Sequence, residues 1–270
     1  MQNQYLINGK PGTGLTPFDR GFAYGDGVFR TLPVIHGAPQ CWEQHYRKLS
    51  EDCNALKIVC PSAELLHEDI ALLTESDASS AIKIIITRGE SARGYAVPAL
   101  AQPTRVVIRS DLPDYPQHFF SEGVNLHLCH MRLSQQPRLA GVKHLNRLEN
   151  VLARMEWVDP HLADGVLLDQ HGHVIECTMS NLFIREGVTL ITPDLSQCGV
   201  AGVTRQRIID CSASLGYDLK VAHIPLERLL MADEVVICNS LYGVWQVRQL
   251  DNRRWPADSL AETLRNGLNA

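Results

Sequence analysis

Strand-like and helix-like periods succeed one another along this 270-residue chain without a regular strand–helix–strand rhythm. A doubly wound parallel sheet needs that rhythm, so the pattern disfavours a dinucleotide-binding fold and points to a mixed α/β (α+β) architecture. Strand character is expected near 5–8 and 28–35, on either side of a Gly/Pro-rich stretch from 9 to 16. Tyr46, Leu49, Cys53 and Leu56 recur at helical steps over 43–58, and Pro61-Ser62 restarts a helix carrying Leu65, Leu66, Ile70 and Leu73. Strands at 81–87 and 105–109 enclose a loop at 89–103. Pro113 and Pro116 mark a linker at 113–120, dividing a small N-terminal domain (1–112) from a larger C-terminal one (121–270). Beyond it the pattern predicts a strand at 124–129 and a helix from 144 to 158 with Leu145, Leu148, Leu152 and Met155 facing the core. A hairpin around Gln170-His171-Gly172 follows, then strands at 182–185 and 189–192, and a helix from Thr204. The last elements are a helix at 226–231, a buried strand at 234–238 and an amphipathic tail.

Composition excludes several classes. The net charge is −5 without basic runs or interleaved aromatics, which argues against a nucleic-acid partner. Apolar runs such as Ile84-Ile85-Ile86 fall far short of the roughly 18 residues of a membrane helix. Met1 to Tyr5 has neither a basic nor an apolar leader region, so no secretory signal is expected. Eight scattered cysteines without C-x-x-C spacing read as reduced thiols of a cytoplasmic protein. His171 and His173 flank Gly172 without a carboxylate at ligand spacing, so no metal site is expected. Gly25-Asp26-Gly27 lacks the third glycine of a dinucleotide fingerprint.

Three arrangements bear on chemistry. In Gly141-Val142-Lys143-His144-Leu145-Asn146, one of only six lysines sits between a glycine-containing extended entry and a helix. Partial desolvation would lower its pKa, as imine formation requires, but a snorkelling lysine would look the same. Gly199-Val200-Ala201-Gly202-Val203-Thr204-Arg205 leads into a helix whose first amides and hydroxyl suit a phosphate, although an ordinary Thr N-cap is the plain alternative. Glu176, in Glu176-Cys177-Thr178-Met179-Ser180-Asn181-Leu182-Phe183, ends an apolar strand and could face a basic ring nitrogen or simply be solvated. An imine lysine, a phosphate cradle and a carboxylate for a pyridine nitrogen are the three parts of a pyridoxal-phosphate site.

At these residues the chain resembles the fold-type IV pyridoxal-phosphate enzymes, the class of D-amino acid and branched-chain aminotransferases. Within that class it is most similar to the aminodeoxychorismate lyases of folate biosynthesis. The likeness rests on Asp19 to Phe29, Thr87-Arg88-Gly89 with Arg93-Gly94-Tyr95, Lys143 to Glu149, Glu176 to Phe183, Gly202 to Arg205 and Ala232 to Asn239. It implies a two-domain fold like that of D-amino acid aminotransferase, with the cofactor in the interdomain cleft, and a homodimer. It also implies that Lys143 forms the internal aldimine and that Glu176 pairs with the pyridine nitrogen. Val203, Thr204 and Ser240 would hold the phosphate, and Val200 would lie against the ring.

The class usually places Arg in H-x-x-R-L on the early helix, to grip the phosphate. Here His45-Tyr46-Arg47-Lys48-Leu49 puts Lys48 at that position, a point charge in place of a bidentate fork. Arg47 could substitute only if the helix turned by about 100°. The implied activity is cleavage of 4-amino-4-deoxychorismate to 4-aminobenzoate and pyruvate. Arg93, Arg30 and Asn239 are candidates for the two substrate carboxylates. A D-amino acid or branched-chain aminotransferase, or a non-catalytic pyridoxal-phosphate-binding protein, would use the same cofactor residues.

Overall fold

Along Gly27–Ile35, buried Val28, Arg30, Leu32 and Val34 alternate with half-buried residues, as a strand with one covered face requires. The computed structural model describes residues 4–12, 14–74, 79–256 and 258–269, so Thr13 of the Gly/Pro-rich stretch lies outside the described residues. The chain divides into two compact units, Met1–Asp114 with Val142–Asn146, and Tyr115–Gly141 with Arg147–Ala270.

The first unit runs β1 (Gln4–Ile7), β2 (Lys10–Pro11), α1 (Arg20–Tyr24), β3 (Gly27–Ile35), β4 (Ala38–Pro39), α2 (Trp42–Ala55), α3 (Ala63–Leu73), β5 (Ser80–Thr87) and β6 (Thr104–Ser110). Its antiparallel sheet has the order β2-β1-β6-β5-β3-β4. Leu49 and Cys53 of α2 and Leu66, Ile70 and Leu73 of α3 pack on Val28, Leu32, Ile82, Ile84 and Ile86 of the sheet. Helix α3 begins where Pro61-Ser62 indicates, with the Ser62 hydroxyl accepting the Leu65 amide at 3.3 Å.

The second unit contains α4 (Gln117–Ser121), β7 (Val124–Leu133), α5 (Leu148–Arg154), β8 (Leu162–Asp169), β9 (His173–Cys177), β10 (Asn181–Glu186), β11 (Thr189–Pro193) and α6 (Val203–Cys211). It continues with β12 (Asp218–Ala222), β13 (Ile224–Pro225), α7 (Leu226–Met231), β14 (Glu234–Asn239), β15 (Gly243–Leu250), β16 (Arg253–Arg254) and α8 (Leu260–Asn269). These strands form one mixed sheet, β12-β11-β10-β14-β15-β7-β8-β9-β13, with β16 on β15. Parallel pairing is confined to β11–β12, β15–β7 and β7–β8 among the described strands. Strand β14 explains its unbroken apolar run: Val235 and Ile237 join a cluster around Trp245, while Val236 and Cys238 join another with α6 and α8. A strand covered on both faces has no reason to alternate. No helix of the described residues is long and apolar enough to cross a membrane.

Two expectations are corrected. The helix expected over 144–158 is only Leu148–Arg154, and its apolar positions do not face the core: Leu148 is 68% exposed, Leu152 45% and Met155 72%. Residues 142–146 are not helical, because β3 takes their backbone groups. His144 bridges Val28, Phe29 N–H donates to the Lys143 carbonyl at 2.9 Å, and Leu145 N–H donates to the Gly27 carbonyl at 2.9 Å. The same pairing, with Val142 buried in the first unit's core, places Val142–Asn146 there and not in a continuous C-terminal domain from 121 to 270.

Candidate active site

In the first unit, Lys143 is fixed through its main chain. Besides the bond to β3, its amide donates to Asp52 Oδ2 at 3.2 Å. Its Nζ lies 4.8 Å from the centroid of the Phe29 ring, and Lys83 Nζ reaches the same ring at 4.8 Å. Asp52 on α2 is 1% exposed and also takes the Arg30 guanidinium and the Lys48 ammonium. Lys48 and Asp52 stand one helical turn apart, on the face with His45 and Leu49, whereas Arg47 is exposed. Arg30 lies on the packed face of β3 with its charge taken by Asp52, so it is a core cation and not one offered to a substrate. Burial lowers its pKa, and Asp52 works against that shift.

The motif residues around Gly25-Asp26-Gly27 prove to be architectural. Arg88 forks onto Asp26 through Nε (2.8 Å) and Nη2 (2.9 Å) and holds the Leu56 and Lys57 carbonyls. Arg20 also reaches Asp26 at 2.8 Å, then Ser91 Oγ at 3.0 Å and the carbonyls of Gly94, Tyr95 and Ala96. The Arg93-Gly94-Tyr95 loop is therefore held by Arg20, while Arg93 itself is exposed. Burial works against the Asp26 charge, but the hydrogen bonds from Arg88 and Arg20 outweigh it and hold its carboxyl below the ordinary range. The unfolded chain thus binds the proton more readily. Stability from this cluster is present above about pH 4 and lost as pH falls through the folded pKa. Urea midpoints of the parent and Asp26→Asn should differ at pH 6 and converge towards pH 3.

In the second unit, Glu176 is 3% exposed at the end of β9 and is no solvated strand end. The Val200 amide donates to its Oε2 at 2.8 Å. The loop carrying Val200 is tied on both sides. Gly141 bridges Val200, donating to the Gly199 carbonyl at 2.9 Å and accepting from the Ala201 amide at 3.1 Å. Asn181 donates to the Val200 carbonyl at 2.8 Å and accepts from the Gly202 amide at 3.1 Å. A Cβ on Gly202 would sit 2.3 Å from Asn181 Oδ1, so only glycine allows this approach.

Helix α6 starts at Val203 with Gly202 as N-cap, and no side chain caps it. Thr204 is therefore not the N-cap. Its hydroxyl, on a residue 5% exposed, lies 3.4 Å from Ser240 Oγ. First-turn amides without intrahelical acceptors, together with two neighbouring hydroxyls, fit a phosphate dianion. Buried Arg205 points elsewhere, onto Thr192 Oγ1 and the Pro193 carbonyl, both at 3.0 Å. The Asn239 side-chain oxygen accepts the Leu241 and Tyr242 amides at 2.9 and 3.1 Å and so shapes the turn that carries Ser240.

Behind these loops, Asp164 is wholly buried and accepts from Ser180 Oγ at 2.6 Å, Thr178 Oγ1 at 2.5 Å and the Gly165 and Thr178 amides. The sequence motifs include Asn181 only as part of the Glu176–Phe183 stretch and do not include Asp52 or Asp164. Only the i,i+4 spacing of Lys48 and Asp52 signalled any of them.

Among the described residues, His127, Cys129 and Glu156 bring ligand atoms within 4.8 Å of one another. Glu156 already accepts the His130 and Met131 amides at 2.6 and 2.8 Å and pairs with His127, while burial pushes the Cys129 thiol up to about 12. The cluster reads as a structural bridge from the chain after α5 to β7. All eight cysteines are free.

The chain is similar over most of its length to known proteins. Residues 27–250 match the amino-transferase class IV family. The aminodeoxychorismate lyase of Vibrio harveyi is 37% identical over 269 residues, 98% of this chain and 99% of the relative. The crystal structure of 4-amino-4-deoxychorismate lyase from Pseudomonas aeruginosa is 44% identical, with a TM-score of 0.93 and 98% of both chains covered. The branched-chain amino acid aminotransferase of Escherichia coli shares the fold at 20% identity, with a TM-score of 0.84 over 97% of this chain and 92% of that one. By its matched residues and its full-length relatives, the chain belongs to the amino-transferase class IV family.

Proposed function

We propose that this protein is a pyridoxal-phosphate-dependent lyase that converts 4-amino-4-deoxychorismate to 4-aminobenzoate and pyruvate, a step of folate biosynthesis. The observation that carries this reading is full-length similarity to the lyases of Vibrio harveyi and Pseudomonas aeruginosa, well above that to the aminotransferase. The residues fit the cofactor: a buried carboxylate oriented by the Val200 amide, and two hydroxyls at an uncapped helix start.

When bound, pyridoxal phosphate supplies an electron sink for charge left on the amine-bearing carbon. The Thr204 and Ser240 hydroxyls and the Val203 amide would bind its phosphate, and Lys48 would add a point charge. Glu176 would hold the proton on the pyridine nitrogen, and Val200 would lie against the ring. Lys143 Nζ takes the proton from the amine-bearing ring carbon of the substrate. It then returns a proton as the carbon–oxygen bond to the enolpyruvyl group breaks and the ring becomes aromatic. The enol released becomes pyruvate. Arg93 is the exposed cation of the Arg20-held loop, and we place it with the substrate carboxylates.

The test is direct. Purified protein is incubated with aminodeoxychorismate, and 4-aminobenzoate and pyruvate are followed beside amino-group transfer to 2-oxo acids. Equal amounts of both products are expected; transfer without 4-aminobenzoate would give the reaction to an aminotransferase instead.

The lyase reading carries a homodimer and a cytoplasmic location, the latter in keeping with the free cysteines. Leu148, Val151, Leu152, Met155 and Val158 make an exposed apolar stripe along and just beyond α5, at helical spacing. We assign that stripe to a second copy of this chain. The pair Leu152→Glu/Met155→Glu should shift the sedimentation coefficient from dimer to monomer, and an unchanged dimer would remove the stripe from the interface.

A further inference from the structure

Tyr242 is buried in the turn between β14 and β15, two residues after Ser240. Its ring is fixed, stacked on Trp245 at 3.6 Å and 6° and met edge-on by Tyr115 at 5.7 Å. Its hydroxyl lies 2.5 Å from Ser180 Oγ, and Ser180 Oγ lies 2.6 Å from Asp164 Oδ2. One proton order satisfies all three groups: Tyr242 donates to Ser180, and Ser180 donates to Asp164. Ser180 opens the segment from which Asn181 grips the 200–202 loop, and the Ser180 carbonyl accepts the Cys177 amide at 2.7 Å, one residue beyond Glu176.

We propose that Asp164, Ser180 and Tyr242 form a positioning relay that locks the Ser240 turn to the Glu176–Asn181 segment and so sets affinity for the cofactor's phosphate. This rests on the reading of Ser240 as a phosphate ligand. Asp164 touches no reacting group, and its effect passes through Ser180 and Tyr242. Burial raises the carboxyl of Asp164 despite its hydrogen bonds from Ser180 and Thr178. Among the described residues of this unit it forms no ion pair, in keeping with a carboxylate used to orient hydroxyls.

The test measures equilibrium binding of pyridoxal phosphate and of pyridoxal, which lacks the phosphate, to protein stripped of cofactor. Tyr242→Phe keeps the ring stack and removes one hydroxyl. It should weaken pyridoxal phosphate about tenfold, the scale of one buried hydrogen bond, and leave pyridoxal within twofold. Asp164→Asn should do the same. On a Ser240→Ala background, Tyr242→Phe should add less than twofold, because the group it positions is already gone. The relay is overturned if folded Tyr242→Phe binds pyridoxal phosphate like the parent while Ser240→Ala weakens it. It is equally overturned if both ligands weaken alike. Unchanged binding by Ser240→Ala would instead refute the phosphate reading of Ser240, and the relay with it.

Discussion

Asp52→Ala is expected to lower the unfolding free energy by about 3–5 kcal/mol, the cost of stranding a buried charge. Asp52 is the carboxylate on which Arg30 and Lys48 meet, with side-chain exposures of 3%, 19% and 0% for Arg30, Lys48 and Asp52. Taking it away leaves the Arg30 guanidinium inside the β3–α2 packing without a counter-charge, while Lys48 can still turn to water. Isothermal urea unfolding measures the loss. The informative control is Arg30→Met with Asp52→Leu, which removes both charges and refills the volume. That double variant should recover most of the stability, because a buried pair contributes little net stability and its cost appears when one partner is left alone. A loss below about 1 kcal/mol for Asp52→Ala would mean that water reaches Arg30. The substitution also removes the acceptor of the Lys143 amide, so activity should fall further than the folded fraction.

The reach of the sequence can be judged from particular residues. Helix α3 and the β8–β9 hairpin were legible because their signals are local: a Ser N-cap after proline, and a Gly turn between apolar runs. The segment 142–146 was not. Its apolar residues continue into α5 at helical spacing, and nothing local records that β3 leaves a strand edge to be filled. The exposed stripe of α5 misled for a related reason, since helical periodicity reports which face is apolar and not what covers it. Glu176 and Thr204 could be picked out but not decided. Burial of the first and the Gly202 cap before the second remove the plain alternatives. Asp52, Asn181 and Asp164 were not legible as site-shaping residues because the contacts that give them that role, to the Lys143, Gly202 and Thr178 amides, span 91, 21 and 14 residues of chain.

Lys143→Ala should abolish turnover, lowering 4-aminobenzoate formation by at least about 10³-fold, within the range contributed by a positioned proton-transfer group. The fold should survive. Lys143 meets β3 and Asp52 through main-chain atoms that alanine retains, and the Nζ–Phe29 contact accounts for only about 0.5–1 kcal/mol. Thermal unfolding of the variant should therefore stay close to the parent while its activity does not, the opposite of what Asp52→Ala should show. Adding a small primary amine to Lys143→Ala should restore a measurable part of the rate, since it returns a proton acceptor to the space left by the side chain. Lys143→Arg should not recover in this way, because the guanidinium fills that space and does not give up its proton. Lys83, whose ammonium approaches the same Phe29 ring, supplies the comparison. If Lys143→Ala kept activity within tenfold of the parent and Lys83→Ala lost it, the proton chemistry would belong to Lys83.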